Sequence, residues 1–465
     1  MNVLLLNPPH PTRLMRRYVA SYNAVNFLMP PLELLGIGGI LKEWKGRRAQ
    51  LLDAVAEGLE EEQTLKNVEQ LRPDLVVSLI GFRAFKNDVE FLGRIKKELP
   101  GTKVICFGYL AGMFAEEILE RCALDAVIAE EPELAFSDLY DRYAAGDSPE
   151  GIEGVTWREN GTIHQNVPAQ RIRDLDVLPF PDHSLPKLDL YNESFLGRPI
   201  ATTVSARGCP FQCTYCVRMY GKEIVYRSAE NVVAEIEAIR NEHSISNLRF
   251  MDDTFTLNRR RTLDICRGIQ QRKLNTRWTC LTRIDSLDEE MLTEMSKAGC
   301  LRLYMGLESG SQRVLDAMKK GLTVETIREK MKIVRASGIE ASAFFIAGFP
   351  GETEEDHQES VALAKEVGLD YIIVTKAQYW PGTELFAKSG RPAFDPWNPR
   401  SEGDPQSDSA GFVREQDLYR KFYFRPNYIL KQAGKAIKSP KDVAQGLKQL
   451  IQYSTKPRGG DNDFI

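Results

Sequence analysis

The sequence has little that would tie the protein to a membrane, to an export route or to nucleic acid. No run approaches the roughly 18 to 20 apolar residues that a membrane span requires. The start, Met1-Asn-Val-Leu-Leu-Leu-Asn-Pro-Pro, has neither the basic residues nor the full hydrophobic stretch of a signal peptide. The formal net charge of −4 gives no general attraction to nucleic acid. We therefore expect a cytoplasmic protein that binds no nucleic acid.

Length and composition are those of an ordinary globular protein. The 465 residues predict two or three domains, and 43% apolar with 27% charged residues is enough for cores of normal size. Five of the eight cysteines are scattered through predicted strands and helices, where an isolated cysteine is usually a buried small hydrophobe. These five are Cys106, Cys122, Cys266, Cys280 and Cys300.

The other three cysteines lie within eight residues, in Cys209-Pro-Phe-Gln-Cys213-Thr-Tyr-Cys216, after an apolar run that predicts a strand. Iron–sulfur clusters are usually held by four thiolates. A C-x₃-C-x₂-C loop with no obvious fourth partner would therefore leave one iron of a cubane open to a substrate or cofactor.

Two other interpretations of these thiols are possible. A zinc site could add His164 or His183, but structural zinc sites usually bring two separated ligand pairs, and no second pair is visible. A disulfide is disfavoured because the cysteines crowd into one loop and no secretory signal precedes them.

The cysteine motif, with Tyr215 directly before its last cysteine, resembles the signature of the radical SAM enzymes. The resemblance implies a [4Fe–4S] cluster on Cys209, Cys213 and Cys216. The open iron would chelate the amino and carboxylate groups of S-adenosylmethionine (SAM), whose reductive cleavage yields a 5′-deoxyadenosyl radical. Tyr215 would then lie near the adenine.

Residues 1–145 alternate apolar runs with helix-period stretches, which predicts a doubly wound parallel α/β sheet. In such sheets ligands bind at the carboxyl ends of the strands, near a topological switch point. The predicted strands begin at Val3, Ala49, Leu75, Lys103 and Asp125.

The loops after these strands resemble the cobalamin-binding domain of the cobalamin-dependent radical SAM branch, whose glycines let the chain approach the corrin ring. That branch usually has Gly-Gly where this chain has Gly108-Tyr109, and no D-x-H-x-x-G motif is present to supply a histidine to cobalt. The alternative is a flavodoxin-like domain that binds nothing. The residues that the resemblance places at cobalamin are Asn7, Pro8, Gly81, Gly108, Tyr109 and Glu130.

Residues 146–196 are polar and punctuated by proline, which predicts a linker. Within it, Asn160-Gly161 between two β-prone runs predicts a hairpin. The segment Leu178-Pro-Phe-Pro-Asp-His183 cannot continue a helix or a central strand.

Residues 197–390 repeat strand then helix six times, which predicts a parallel sheet with its site at the strand carboxyl ends. Six units rather than eight indicate an open partial (β/α)₆ barrel of the TIM type, as the resemblance also implies. The predicted strands are Ile200–Ser205, Asn247–Met251, Arg277–Leu281, Leu301–Gly306, Glu340–Ile346 and Tyr371–Thr375.

Polar residues follow the second, third and fourth barrel strands. By resemblance, Asp252 and Asp253 would take the ammonium of SAM, although an acid there could equally cap a helix. Arg283 can fork onto a carboxylate, and Glu308 could hydrogen-bond the ribose or the ammonium of SAM. Together with Ser309 they resemble the family's arginine and Gly-x-Glu-Ser-Gly segments, which implies that all three bind SAM. A purely structural Arg283–Glu308 salt bridge is the alternative.

Residues 391–465 predict a loop and a small helical cap. From residue 411 onward the chain has eleven Lys or Arg and five Asp or Glu, mixed with aromatic residues. We expect a surface that covers the barrel mouth. The alternatives are a lid for an anionic or greasy substrate, or peripheral attachment to an anionic membrane.

Together the resemblances imply methylation of an unactivated carbon in cofactor, lipid or natural-product biosynthesis. Cobalt could carry a methyl group close to a carbon radical that the deoxyadenosyl radical creates, in a site that excludes water. Partners would be a small-molecule or lipid-like substrate and a one-electron reductant of the flavodoxin or ferredoxin type. Radical cyclisation, oxidation or rearrangement with the same cofactors is one alternative, and a zinc-stabilised binding protein without catalysis is another.

Overall fold

Two sheets organise the chain in a computed structural model. The first is a seven-stranded sheet near the N-terminus, and the second is a six-stranded sheet in the middle of the chain. The structure describes residues 1–17, 21–23, 27–193, 195–391, 393–398, 409–426 and 428–429.

The first sheet has five parallel strands in the order β4-β1-β5-β6-β7, so the doubly wound prediction is confirmed. Alternate residues of each strand enter two apolar cores on opposite faces. Val76 and Val104 lie in one core, and Val77 and Ile105 lie in the other. The order places a topological switch point between β1 and β5. The parallel strands are β1 (Val3–Asn7), β4 (Gln50–Asp53), β5 (Leu75–Leu79), β6 (Lys103–Phe107) and β7 (Ala126–Ile128).

Helices cover both faces of this sheet. The helices are α1 (Leu32–Lys45), α2 (Ala54–Glu57), α3 (Glu61–Leu71), α4 (Phe85–Glu98), α5 (Tyr109–Met113), α6 (Ala115–Cys122) and α7 (Pro132–Ala145). A short antiparallel pair, β2 (Leu14–Arg16) and β3 (Ser21–Asn23), follows β1.

The predicted hairpin forms from β8 (Val155–Glu159) and β9 (Thr162–Gln165). Asn160 and Gly161 both have positive φ, 51° and 84°, as the tight turn requires. The hairpin does not lie apart in a linker, because β8 pairs antiparallel with β7 and extends the first sheet. The predicted division at residue 145 therefore falls within the sequence span of this sheet.

The second sheet contains six parallel strands in chain order, as predicted for a partial barrel. The strands are β10 (Ile200–Thr203), β13 (Asn247–Phe250), β14 (Arg277–Thr282), β15 (Cys300–Glu308), β16 (Glu340–Ala347) and β17 (Tyr371–Lys376). A two-stranded pair, β11 (Ala206–Arg207) and β12 (Val225–Tyr226), follows β10. The helices are α8 (Ala229–His243), α9 (Arg259–Gln271), α10 (Glu289–Lys297), α11 (Gln312–Ala317), α12 (Val324–Ala336) and α13 (Glu354–Glu366).

The C-terminal segment contributes α14 (Glu384–Lys388) and α15 (Ser409–Tyr423). The hydroxyl of Tyr423 accepts the N–H of Ile372 at 3.0 Å and donates to its carbonyl at 2.9 Å. The hydroxyl of Tyr419 accepts the N–H of Val374 at 2.9 Å. Helix α15 thus lies along the free edge of β17, whereas the cap was expected to cover the barrel mouth. The loop before it contacts the first sheet, since the ring of Phe394 stands 5.3 Å from that of Phe82.

Most of the basic tail lies outside the described residues, so the lid and membrane alternatives stay hypotheses. Within the described ranges, no helix combines the length and apolarity needed to cross a membrane.

Removing the hydroxyl in Tyr423→Phe should lower the free energy of unfolding by about 1–2 kcal/mol, because an N–H and a carbonyl of β17 lose their partner. Tyr143→Phe is the matched control, since the Tyr143 ring lies against Lys103 and caps no strand edge. Denaturant unfolding measures both. Equal loss in the two variants would contradict the capping role.

Candidate functional site

The cysteine loop, residues 208–224, connects β11 to β12, and their pairing closes its base. Gly208 has φ +99°, and a Cβ there would stand 2.2 Å from the carbonyl oxygen of Glu223, so only glycine fits. Farther along, Thr214 donates its N–H to Met318 O at 2.9 Å and accepts from Leu385 N at 2.8 Å. The loop is thereby fixed beside α11 and α14.

The three thiols lie close enough that, besides desolvation, the charge of Cys213 raises the pKa of both Cys209 and Cys216. Desolvation raises the pKa of Cys209, and desolvation together with Asp253 and the other two thiols raises the pKa of Cys216 to about 12. A bound metal would reverse this effect, because a coordinating thiol is deprotonated. Three clustered thiols without a fixed fourth ligand match the donor set of a cubane with one open iron.

The two histidines considered for a zinc site contact other parts of the fold. In the part of the chain that the structure describes, no three His, Cys, Asp or Glu side chains converge on one metal ion. A cubane needs no such convergence, since its thiolates bind separate irons. His164 stacks on Trp157 in the first sheet, and His183 lies against Glu235 and His243.

The two aspartates after β13 have different surroundings. Asp252 is 1% exposed and accepts from the N–H of Ser205 at 2.6 Å and from its hydroxyl, so it braces the end of β10. Asp253 is exposed, and its charge raises the pKa of both Cys209 and Cys216. Asp253 therefore lies at the thiols, whereas Asp252 is occupied within the fold.

Arg283 forks onto a carboxylate of its own loop. Its Nε and Nη2 donate to Asp285 at 3.0 and 2.9 Å, and its Nη1 donates to Lys320 O at 3.0 Å. The guanidinium carbon stands 3.6 Å from the ring centre of Phe211 in the cysteine loop. The alternative of an Arg283–Glu308 salt bridge is wrong. Arg283 instead packs against Phe211 and so stabilises the cysteine loop.

Glu308 pairs with Lys320, a residue that sequence reasoning missed. The two charged atoms are 2.7 Å apart, both side chains are 8% exposed, and Lys320 Nζ lies 3.3 Å from the hydroxyl of Tyr215. Glu308 has φ +67°, a conformation that non-glycine residues rarely adopt and that clusters at functional sites. Lys320 follows α11 with no motif around it except a neighbouring glycine.

Two further predicted features lie around this group. Tyr215 packs against a cluster that includes Phe349, from the segment after β16. Ser309 is fully buried, and its Oγ contacts Ser360 Oγ at 3.0 Å and accepts the N–H of Ser311 at 3.1 Å. The Ser309 side chain is therefore held inside the fold.

The predicted first-sheet residues all lie at the carboxyl ends of its strands. Asn7 and Gly81 flank the switch point, Asn7 Nδ2 donates to Asp53 at 2.7 Å, and the N–H of Gly81 donates to Asp88 at 3.0 Å. Pro8 is buried beside Asn7.

The remaining two loops carry unusual backbone. Gly108 has φ +134°, with a hypothetical Cβ 2.8 Å from Ile80 O. Glu130 has φ +59°, and desolvation together with Glu131 raises its pKa.

The strand-end edges of the two sheets meet. The hydroxyl of Tyr109, after β6, donates to Pro381 O at 3.3 Å, and Gly382 leaves room for it. The ring of Phe82, after β5, stands 4.0 Å from that of Trp380 and 5.3 Å from that of Phe394. The segment after β17 therefore joins the cysteine side of the barrel to the first sheet.

Similarity to known proteins agrees with this geometry. The profile of the Radical SAM superfamily matches residues 203–364. An uncharacterized methyltransferase of Pyrococcus horikoshii, PH0819, is 30% identical over 444 residues, covering 93% of this chain and 94% of that protein. The chain belongs to the radical SAM superfamily. It is thus an enzyme of the class that uses a [4Fe–4S] cluster and SAM, and the zinc-scaffold hypothesis does not fit this membership.

Other relatives align with a smaller share of this chain. The anaerobic magnesium-protoporphyrin IX monomethyl ester cyclase of Cereibacter sphaeroides is 27% identical over 366 residues, 77% of this chain and 60% of that protein. The fold matches the cobalamin-dependent radical enzyme OxsB with TM-score 0.65 and 19% identity, over 83% of this chain and 55% of that chain. The methyltransferase TsrM of Kitasatospora setae has the same TM-score and identity, over 82% and 74%.

The two aspartates should respond differently to neutralisation. Asp252→Asn should lower the free energy of unfolding of the cluster-free protein by about 1.5–3 kcal/mol, because charged hydrogen bonds to Ser205 are lost. The matched Asp253→Asn should stay within about 0.5 kcal/mol of the parent. Chemical unfolding measures both variants. A larger loss of unfolding free energy in Asp253→Asn than in Asp252→Asn would mean that Asp253, not Asp252, is the structural aspartate.

Proposed function

We propose that the protein methylates an unactivated carbon of a small-molecule or lipid-like substrate, using a [4Fe–4S] cluster, SAM and cobalamin. The observation that carries the proposal is the meeting of the two strand-end edges, one with the cysteine loop and the other with a switch point suited to a large cofactor. Relatives named as methyltransferases, PH0819 and TsrM among them, favour methyl transfer.

Cys209, Cys213 and Cys216 would hold the cluster. When bound, the cluster supplies the electron that cleaves SAM to the 5′-deoxyadenosyl radical. The exposed carboxylate of Asp253 lies beside the thiols and suits the SAM ammonium. The buried pair of Glu308 and Lys320 offers one acceptor and one donor to the polar groups of SAM, and Tyr215 lies between that pair and an apolar cluster suited to adenine.

Cobalamin, when bound, supplies a methyl carrier within reach of a substrate radical. On the first sheet, Gly81 and Gly108 lie at the strand ends that would face the cofactor. A Cβ on Gly108 would stand 2.8 Å from Ile80 O, so this loop needs glycine, and the hydroxyl of Tyr109 is anchored to Pro381 O beside it. OxsB binds aqua-cobalamin and TsrM binds cobalamin in their solved structures. Asn7, Pro8 and Glu130 complete the proposed set of contacts.

A second outcome is radical cyclisation, which the magnesium-protoporphyrin cyclase relatives favour. Radical SAM enzymes typically act on a small molecule and take electrons from a reductant. We infer an external one-electron donor of the flavodoxin or ferredoxin type for this chain.

Isotopic labelling separates the two outcomes. The enzyme, reconstituted with cluster and hydroxocobalamin, is incubated anaerobically with reductant, candidate substrates and SAM labelled at the methyl group. Methyl transfer puts the label in the product, whereas accumulation of 5′-deoxyadenosine with an unlabelled product would establish cyclisation or rearrangement instead. Cys216→Ala should abolish both product formation and 5′-deoxyadenosine formation. Cys122→Ala should retain them, because Cys122 is far from the loop in sequence and half buried among the helices of the first sheet.

The Glu308–Lys320 pair can be tested through its neighbour Gly306. In Gly306→Ala the added Cβ would lie 2.3 Å from Glu308 Oε1 and 2.7 Å from Lys320 Nζ, so the pair must shift. We expect SAM affinity to fall by about tenfold or more, equivalent to about 1.4 kcal/mol. Gly36→Ala, which adds a methyl into open space on α1, is the control. Unchanged SAM binding in Gly306→Ala would remove this pair from the SAM site.

A further inference from the structure

A buried ion-pair group joins the end of the first sheet to the start of the cysteine loop. Arg207, the last residue of β11, pairs with Glu131 at 2.8 Å and with Glu133. All three side chains are at most 12% exposed. Burial alone would lower the pKa of Arg207, yet the two carboxylates raise it well above its usual value. The cation is stable here because two anions from the other sheet surround it.

A second route runs through the connecting segment. Glu131 also accepts the N–H of Ile172 at 2.9 Å. The neighbouring Arg171 donates from Nη2 to Arg207 O at 2.9 Å and from Nη1 to the carbonyl of Glu223, at the far end of the cysteine loop. Glu131 is therefore linked to the loop directly through the Arg207 side chain, and indirectly through Ile172 and its neighbour Arg171, which binds the carbonyls at the two ends of the loop.

The residues before Glu131, at the end of the first sheet, are closely packed and hydrogen-bonded. The N–H of Ala129 donates to Gly154 O at 2.9 Å, and a Cβ on Gly112 would stand 3.0 Å from the Cβ of Ala129. The next residue, Glu130, is in the rare left-handed conformation. Glu130 lies between this held residue and Glu131, so a ligand that displaces the Glu130 backbone would transmit the displacement to Glu131.

We propose that Glu131 and Glu133 are positioning residues that couple ligand binding at the first sheet to the geometry of the cysteine loop. This inference rests on the proposed function, in which cobalamin contacts Glu130. The coupling is reciprocal: cobalamin orders residues 208–224, and a filled cysteine loop increases cobalamin affinity by the same factor.

Amide hydrogen exchange on the cluster-loaded protein tests the coupling, with and without hydroxocobalamin. In the parent protein, cobalamin should slow exchange by about fivefold or more both in the first-sheet loops (residues 80–83 and 108–112) and in residues 208–224. In Glu131→Gln and in Glu133→Gln, the first-sheet loops should stay protected while the protection of residues 208–224 is lost. Asp138→Asn, an exposed change on the same helix α7, should behave as the parent.

Each other result has a distinct meaning. Protection of residues 208–224 that survives in both variants would mean direct contact with cobalamin and would overturn the coupling. Protected first-sheet loops with an unaffected cysteine loop in the parent would overturn it too, while leaving cobalamin binding intact. Absence of any protection in the first-sheet loops would refute cobalamin binding itself, and the inference with it.

Equilibrium binding gives a second measurement that also holds if one variant folds poorly. The dissociation constant of hydroxocobalamin for the parent should be about fivefold or more lower in the cluster-loaded than in the cluster-free protein. In Glu133→Gln, which retains the Glu131 pair and hence part of the buried charge compensation, that ratio should approach one. A ratio unchanged from the parent would contradict a role for Glu133.

Discussion

The structure depends on keeping a positive charge buried where its two sheets meet. Arg207 has 8% of its surface exposed, which is tolerable only because Glu131 and Glu133 supply opposite charges from the first sheet. The residue that carries this charge is separated from Cys209 by a single glycine. One set of contacts therefore bears on both the relative placement of the sheets and the position of the thiols.

A second layer of polar contacts supports the loop from the barrel side. Asp252 holds Ser205, Arg283 stacks on Phe211, and Arg261 donates to Ser205 O and Arg227 O. Asp252 and Arg283 are thus engaged by partners within the fold. Asp253 remains at the thiols, and the Glu308–Lys320 pair lies by Tyr215, so the charges closest to the proposed SAM position are few and specifically placed.

Strand and helix periodicity in the sequence predicted most of the fold. All six barrel strands lie within two residues of their predicted bounds, because parallel strands covered by helices are continuous apolar runs between turn residues. The attachment of the hairpin to β7 was missed, since a hairpin motif contains no information about its neighbours. The direction in which each side chain points also could not be predicted from the sequence. Adjacent Asp252 and Asp253 point to different environments. Glu308, which pairs with Lys320, has a left-handed backbone conformation that no local motif predicts.

An open barrel leaves the backbone of its last strand available for pairing, and exposed strand edges are templates for association between molecules. The hydroxyls of Tyr419 and Tyr423 occupy the N–H groups of Val374 and Ile372 without adding a strand. Another chain cannot extend the sheet at this edge while α15 is in place. The helix therefore lets the barrel remain incomplete without making its edge a site of fibre-like aggregation.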